Sequence, residues 1–123
     1  LVWCVGVTNA FNLHRGDALR RLFVTEPAFR SVSECSDTVV RQVLDGRDQA
    51  VARASKDEGA VVFKGVSEGY LLNVPKGGQP GPCKARQPVS LYLARYSWSF
   101  GEKTETGEAH FIRIGGVWFI AKL

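Results

Sequence analysis

Methionine is absent from the 123 residues, histidine occurs twice, cysteine three times and proline five times. Without methionine the chain does not begin at its own initiator residue. Residues are therefore expected upstream of Leu1, with the apolar opening LVWCVGV as the tail of a longer segment. That opening lacks the basic flank and the cleavage site of a signal peptide. Three cysteines are too few to build a disulfide miniprotein, so a hydrophobic core has to carry stability. Their odd number favours reduced thiols and a cytoplasmic setting; a Cys35–Cys83 bridge is the alternative, whose geometry spacing does not test. No apolar run approaches the ~18–20 residues that span a bilayer, which argues against a membrane partner. Two histidines with no His-x-Glu or Cys-x-x-Cys spacing leave no metal site to expect. Nor is there a Gly-x-Ser-x-Gly elbow, a Walker loop or a dinucleotide fingerprint, and no cofactor is expected. A basic block is missing too. The 16 Lys and Arg exceed the 12 Asp and Glu to give a net charge of +4, but acidic residues interrupt them. Scattered charge of this kind argues against a nucleic-acid partner.

What is present describes an ordinary globular chain. The apolar share is 45% and the charged share 23%, and the length suits one domain over residues 1–123. Trp3, Cys4, Val7, Ala10 and Phe11 recur at helical spacing, and the helix breaks near His14, Arg15 and Gly16. Asp17 then suits an N-cap, followed by a short helix with Ala18, Leu19, Leu22 and Phe23 on its apolar side. Pro27 makes continuation of that helix improbable, and the alternation from Phe29 to Glu34 fits a short strand. From Ser36 to Gly59 two readings compete. Val39, Val40, Val43, Leu44, Ala50, Val51 and Ala54 would line one long helix. The β-branched residues and the Asp45-Gly46 turn signal instead favour a strand through Leu44 and a helix from Arg47 to about Asp57, which is preferred.

The second half reads as strands. Ala60–Phe63 and Gly69–Val74 form one long or broken strand, and Pro75–Arg86, rich in proline and glycine, is a loop. Val89, Leu91 and Leu93 alternate with a second face carrying Tyr92, Tyr96, Trp98 and Phe100. A turn is expected over Gly101–Thr106 and a strand over Glu108–Ile114. Gly115-Gly116 marks a two-residue hairpin, with Val117–Leu123 returning antiparallel. Helices segregated from an antiparallel meander make an α+β domain.

Three segments, in order, resemble the nuclear transport factor 2-like superfamily. AFNLHRGDALRRLF is similar to its opening, where a helix ends near Phe-Asn and Gly-Asp begins another. Gly46-Arg47-Asp48-Gln49-Ala50-Val51 is similar to the Gly-Arg-x-x-Ala-Val start of its third helix. GEAHFIRIGGVWFIAKL resembles its closing hairpin, with Gly-x-Trp-x-Ile at Gly116 to Ile120. The likeness implies a curved antiparallel sheet wrapped around the N-terminal helices, a cone with a pocket at its open end. Isomerases, dehydratases, polyketide cyclases and many non-catalytic proteins share that fold, so activity has to be argued from the site.

The resemblance to the ketosteroid isomerase branch places a general base at Asp37 and a hydrogen-bond donor at His110. An Asp in an apolar pocket has its charged form disfavoured, and an imidazole can donate to an oxyanion or transfer protons near neutrality. The branch's first-helix tyrosine would fall at Val7 and is missing; Tyr92 or Tyr96 are the phenols available from the sheet. Against this, Asp37 beside Ser36 suits a turn or N-cap, and His110, alternating with Ile112 and Ile114 beside Val117, Phe119 and Ala121, suits a core position. The leading expectation is a domain with an apolar pocket for a small apolar or amphipathic ligand. Phe11, Tyr92, Tyr96, Trp98 and Trp118 would line that pocket, and Asp37 and His110 would supply isomerase-, dehydratase- or cyclase-type proton transfer. The loop bearing Lys76, Lys84 and Arg86 is expected near the pocket mouth. The rival is a non-catalytic interaction or homodimerisation module that uses the aromatic sheet face of Tyr92, Tyr96, Trp98 and Phe100.

Overall fold

The computed structural model describes residues 10, 15–55 and 61–123. The expected first helix lies outside these residues except for Ala10, which is helical and buried. Helix α1 spans Gly16–Leu22. Its first hydrogen bond runs from the Leu19 N–H to the Arg15 carbonyl at 3.1 Å, so Arg15 occupies the cap, without a side-chain bond. Asp17 is thus not the N-cap. It sits one position into the helix, where its charge favours the positive end of the helix dipole, 3.6 Å from Arg21. Phe23 leaves the helix in extended conformation and bridges Ile120, and the Val24 N–H donates to the Ile120 carbonyl at 2.9 Å.

Helix α1 ends before Pro27, as expected, but a new helix begins there in place of the expected strand. Helix α2 spans Glu26–Val32, with Pro27 in its first turn, where a missing N–H costs no hydrogen bond. The Ala28 N–H donates to Thr25 Oγ1 at 3.3 Å, capping it. Phe29 and Val32, three apart, are buried together, so the expected strand reduces to β1, Ser33–Glu34. The longer reading of the next segment also prevails. Helix α3 runs unbroken over Asp37–Ser55, 19 residues, through Asp45-Gly46. Ser36 caps it, accepting the Val39 N–H at 3.3 Å. Burial of Val40, Ala50 and Ala54, with Val43 and Leu44 half-buried, outweighs the few tenths of a kcal/mol each β-branched residue costs a helix. The expected end near Asp57 lies outside the described residues.

Strands β2 (Val61–Val74), β4 (Val89–Phe100), β5 (Lys103–Ile114) and β6 (Val117–Lys122) form an antiparallel sheet in the order β2-β4-β5-β6. The two stretches expected in the β2 region are one strand, with register shifts at Phe63/Gly65 and Val66/Glu68 of the bulge type that bends a sheet. The β4–β5 turn is tight, not a loop through Thr106: Phe100 pairs with Lys103. The hairpin at Gly115-Gly116 stands as expected, with φ of 59° and 79° at the two glycines and Ile114 paired with Val117. Within the loop after β2, β3 (Lys84–Ala85) pairs with β1 in a separate two-stranded sheet.

Two buried clusters tie the layers together. One joins Leu19, Phe23, Ala50 and Ala54 to Tyr96, Phe111 and Ile120; the other joins Phe29, Val32 and Val40 to Val74, Val89 and Ile112. The architecture is α+β, three helices and two antiparallel sheets among the described residues. None of these helices is long and apolar enough to cross a membrane.

Candidate functional site

Between α3 and the four-stranded sheet lies a cavity of about 1080 Å³. Val39 and Val43 line it from α3, and Leu72, Leu91, Leu93 and Ile112 from the strands. Its rim takes Pro80 to Cys83 from the loop. Small-molecule sites are commonly ~300–1,000 Å³, mostly apolar, with a few polar groups. Here polar groups come from the helix and from two strands. Gln42, Gln49 and Arg53, spaced by seven and four residues, share one stripe of α3. His110 and Lys122 enter from paired positions on β5 and β6.

That pairing differs from the regular hairpin register, which puts His110 beside Ala121. A register shift between His110 and Phe111 brings Lys122 opposite the imidazole instead. Glu108 completes the group: Lys122 Nζ donates to Glu108 Oε2 at 3.4 Å, and His110 Nε2 lies 3.5 Å from the same oxygen. Partial burial, and then the Lys122 charge, hold the His110 imidazole below its ordinary value of 6.5; the Glu108 carboxylate pulls upward and is outweighed. Its hydrogen bond with Lys122 and that ammonium's charge hold the Glu108 carboxyl below its ordinary range. At neutral pH His110 is therefore an uncharged imidazole, able to accept or donate one hydrogen bond at the cavity wall.

Asp37 is not part of this site. It begins α3 with its side chain 94% exposed, 3.1 Å from Arg30 Nη2, and the apolar surroundings expected of a buried base are missing. Its position follows from the long helix, which makes residue 37 a first-turn acid. The two expected catalytic residues therefore do not face each other across the cavity.

The aromatic residues divide. Tyr96 lines the cavity and is buried, 7% exposed. Tyr92 and Trp98 are half-buried against the first core cluster, as is Trp118, and none of the three lines the cavity. The expected surface patch of Tyr92, Tyr96 and Trp98 is thus largely packed away; the Phe100 side chain and Phe11 lie outside what the structure describes. Glycines opposite make this packing possible: a Cβ on Gly69 would come within 2.5 Å of Tyr92 Oη, and one on Gly107 within 2.6 Å of Tyr96 Oη. Each ring lies across a neighbouring strand where any side chain would displace it.

Arg53 is the residue that sequence reading overlooked. Its guanidinium carbon sits 5.9 Å from the centre of the Trp98 ring, and Nη2 donates to the Leu123 carbonyl at 3.5 Å. Its Nε is buried with no acceptor among the described residues. Either helical reading puts residues 49 and 53 on one face; the long helix adds residue 42 to the stripe.

The loop contributes differently from expectation. Lys76, Lys84 and Arg86 are not lining residues; Pro80, Gly81, Pro82, Cys83 and Ala85 are. Arg86 Nε instead donates to the Arg30 carbonyl at 3.0 Å. Cys83 forms a disulfide with Cys35, across 48 residues, which corrects the expectation of reduced thiols for this pair. The bridge fastens the rim to the segment that leads into α3. Among the described residues no three His, Cys, Asp or Glu side chains gather as a metal-binding set. Comparison of the chain with protein-family models, curated proteins and solved structures finds no match.

Proposed function

We propose that this protein is a small-molecule-binding domain of the nuclear transport factor 2-like kind, whose curved sheet closes around α3 as a cone and receives an apolar or amphipathic ligand. The observation that carries the proposal is the cavity of about 1080 Å³, apolar along Val39, Val43, Leu72 and Leu91, with polar groups that include His110, Lys122, Gln42, Gln49 and Arg53. The order of helices before antiparallel strands, and the Gly115-Gly116 hairpin, support the family assignment. Any isomerase-, dehydratase- or cyclase-type proton transfer falls to His110, because its neutral imidazole lies at the cavity wall while Asp37 lies outside.

Titration with the neutral apolar dye Nile red, followed by fluorescence, tests the binding reading. Saturable one-to-one binding is expected. Leu91→Trp, which fills the cavity from β4, should weaken it about tenfold or more. Equal binding by that variant would remove the cavity as the site.

A second reading, homodimerisation, is favoured by Tyr70 and Leu71, which are 60% and 54% exposed on β2, at the edge of the sheet. Sedimentation of the native chain and of Leu71→Glu addresses it. A native monomer counts against the dimer.

A further inference from the structure

We infer that the ligand of this cavity is an anionic amphiphile: a carboxylate-bearing molecule whose charged end meets Arg53 and whose apolar body lies along Val43, Leu72 and Leu91. The inference rests on the cavity being a ligand site and adds the charge class of the ligand. Three observations carry it together. Two cations, Arg53 and Lys122, line the cavity, and among the described residues no Asp or Glu does. The charge of Lys122 is already shared with Glu108 at 3.4 Å, so Arg53 is the lining cation with no Asp or Glu partner among the described residues. The Arg53 guanidinium is also incompletely satisfied: it has one long bond to the Leu123 carbonyl, a ring beneath it and a buried Nε without an acceptor.

A buried donor left unmade is costly, and more so on a charged group. Arginine presents its donors as a planar fork that matches the two oxygens of a carboxylate. An amphiphile with an anionic head therefore offers an apolar body to the wall and a charge partner to the guanidinium. A neutral amphiphile supplies only the first, and a cationic one meets repulsion from Arg53 and Lys122. His110, uncharged at neutral pH, adds a hydrogen bond without changing this sign. Trp98 holds the guanidinium from one side, which lowers the entropy lost when a ligand engages it.

The test compares three probes with one twelve-carbon tail, dodecanoate, dodecanol and dodecyltrimethylammonium, by calorimetry of the native chain below their micelle concentrations. Dodecanoate is expected to bind at one site about tenfold tighter than dodecanol, and the ammonium to bind weakest. Arg53→Gln should erase the carboxylate's advantage over the alcohol, and Arg53→Lys should keep part of it. Equal binding of carboxylate and alcohol by the native chain overturns the inference and leaves the cavity reading standing. Tighter binding of the ammonium likewise overturns the inference alone. Binding of none of the three overturns both. Because the native chain alone decides among these outcomes, a misfolded Arg53→Gln would not blunt the test.

Discussion

His110 is governed by where its ring stands between Glu108, Lys122 and the cavity wall. Partial burial and the neighbouring ammonium keep its folded-state value below 6.5, so the unfolded chain binds that proton more readily than the folded one. The stability that neutral His110 confers is complete well above pH 6.5 and is lost as pH falls through 6.5 toward the folded value. Denaturant unfolding measured from pH 8 to pH 5 is expected to show this decline. His110→Gln should flatten it; an unchanged slope would assign the decline to other groups. Asp37 is the opposite case. Its pair with Arg30 is solvent-exposed, and such pairs contribute about 0–1 kcal/mol. Asp37→Asn should therefore change stability by no more than about 1 kcal/mol and leave dye binding at its native level. A loss of binding would show that the first turn of α3 reaches the site.

At the scale of elements, α3 and the rim loop matter most. Helix α3 supplies one wall of the cavity, and its stripe of Gln42, Gln49 and Arg53 exists only because the helix continues through Gly46. The Cys35–Cys83 bridge joins the segment before α3 to the loop after β2, beside the β1–β3 pair. Closing a chain segment of 48 residues restricts the unfolded ensemble, which commonly stabilises by about 2–4 kcal/mol. Cys83→Ser is expected to lower unfolding stability by about that amount, and reductant should do the same to the native chain but not to the variant. Equal stability of the native chain with and without reductant would count against the bridge. A disulfide of this kind persists in an oxidising setting, which bears on where the protein works.

At the scale of the whole molecule, the core and the cavity share residues. Phe111 belongs to the first buried cluster, stacks obliquely near Tyr92 with ring centres 6.4 Å apart, and also lines the cavity. Phe111→Ala should cost about 3–5 kcal/mol, read from denaturant unfolding, and should weaken dye binding as well. A large stability loss with native binding would show that the core and the cavity are independent. Most of the strand pattern was legible from residue types. Alternation around Val89 to Ile114 and the paired glycines 115 and 116 mark strands and a hairpin through neighbours two residues apart. The helical segments were less legible. Pro27 breaks or starts a helix depending on its place in the turn, and Asp45-Gly46 is a turn only where burial does not hold the helix together. The expected base falls outside the cavity for the same reason, since Asp37 moves to an exposed first turn once α3 is continuous.

Composition and local pattern thus determined by themselves that this is an α+β chain with antiparallel strands, tight glycine turns and no charge block for nucleic acid. Tertiary structure alone decided that Cys35 meets Cys83, that His110 faces Lys122 instead of Ala121, and that Arg53 reaches Trp98 and the Leu123 carbonyl. The physical reason is range. Periodicity and turn chemistry act over two to four residues, whereas the cavity's polar end joins positions as far apart as Arg53 and Leu123, separated by 70 residues.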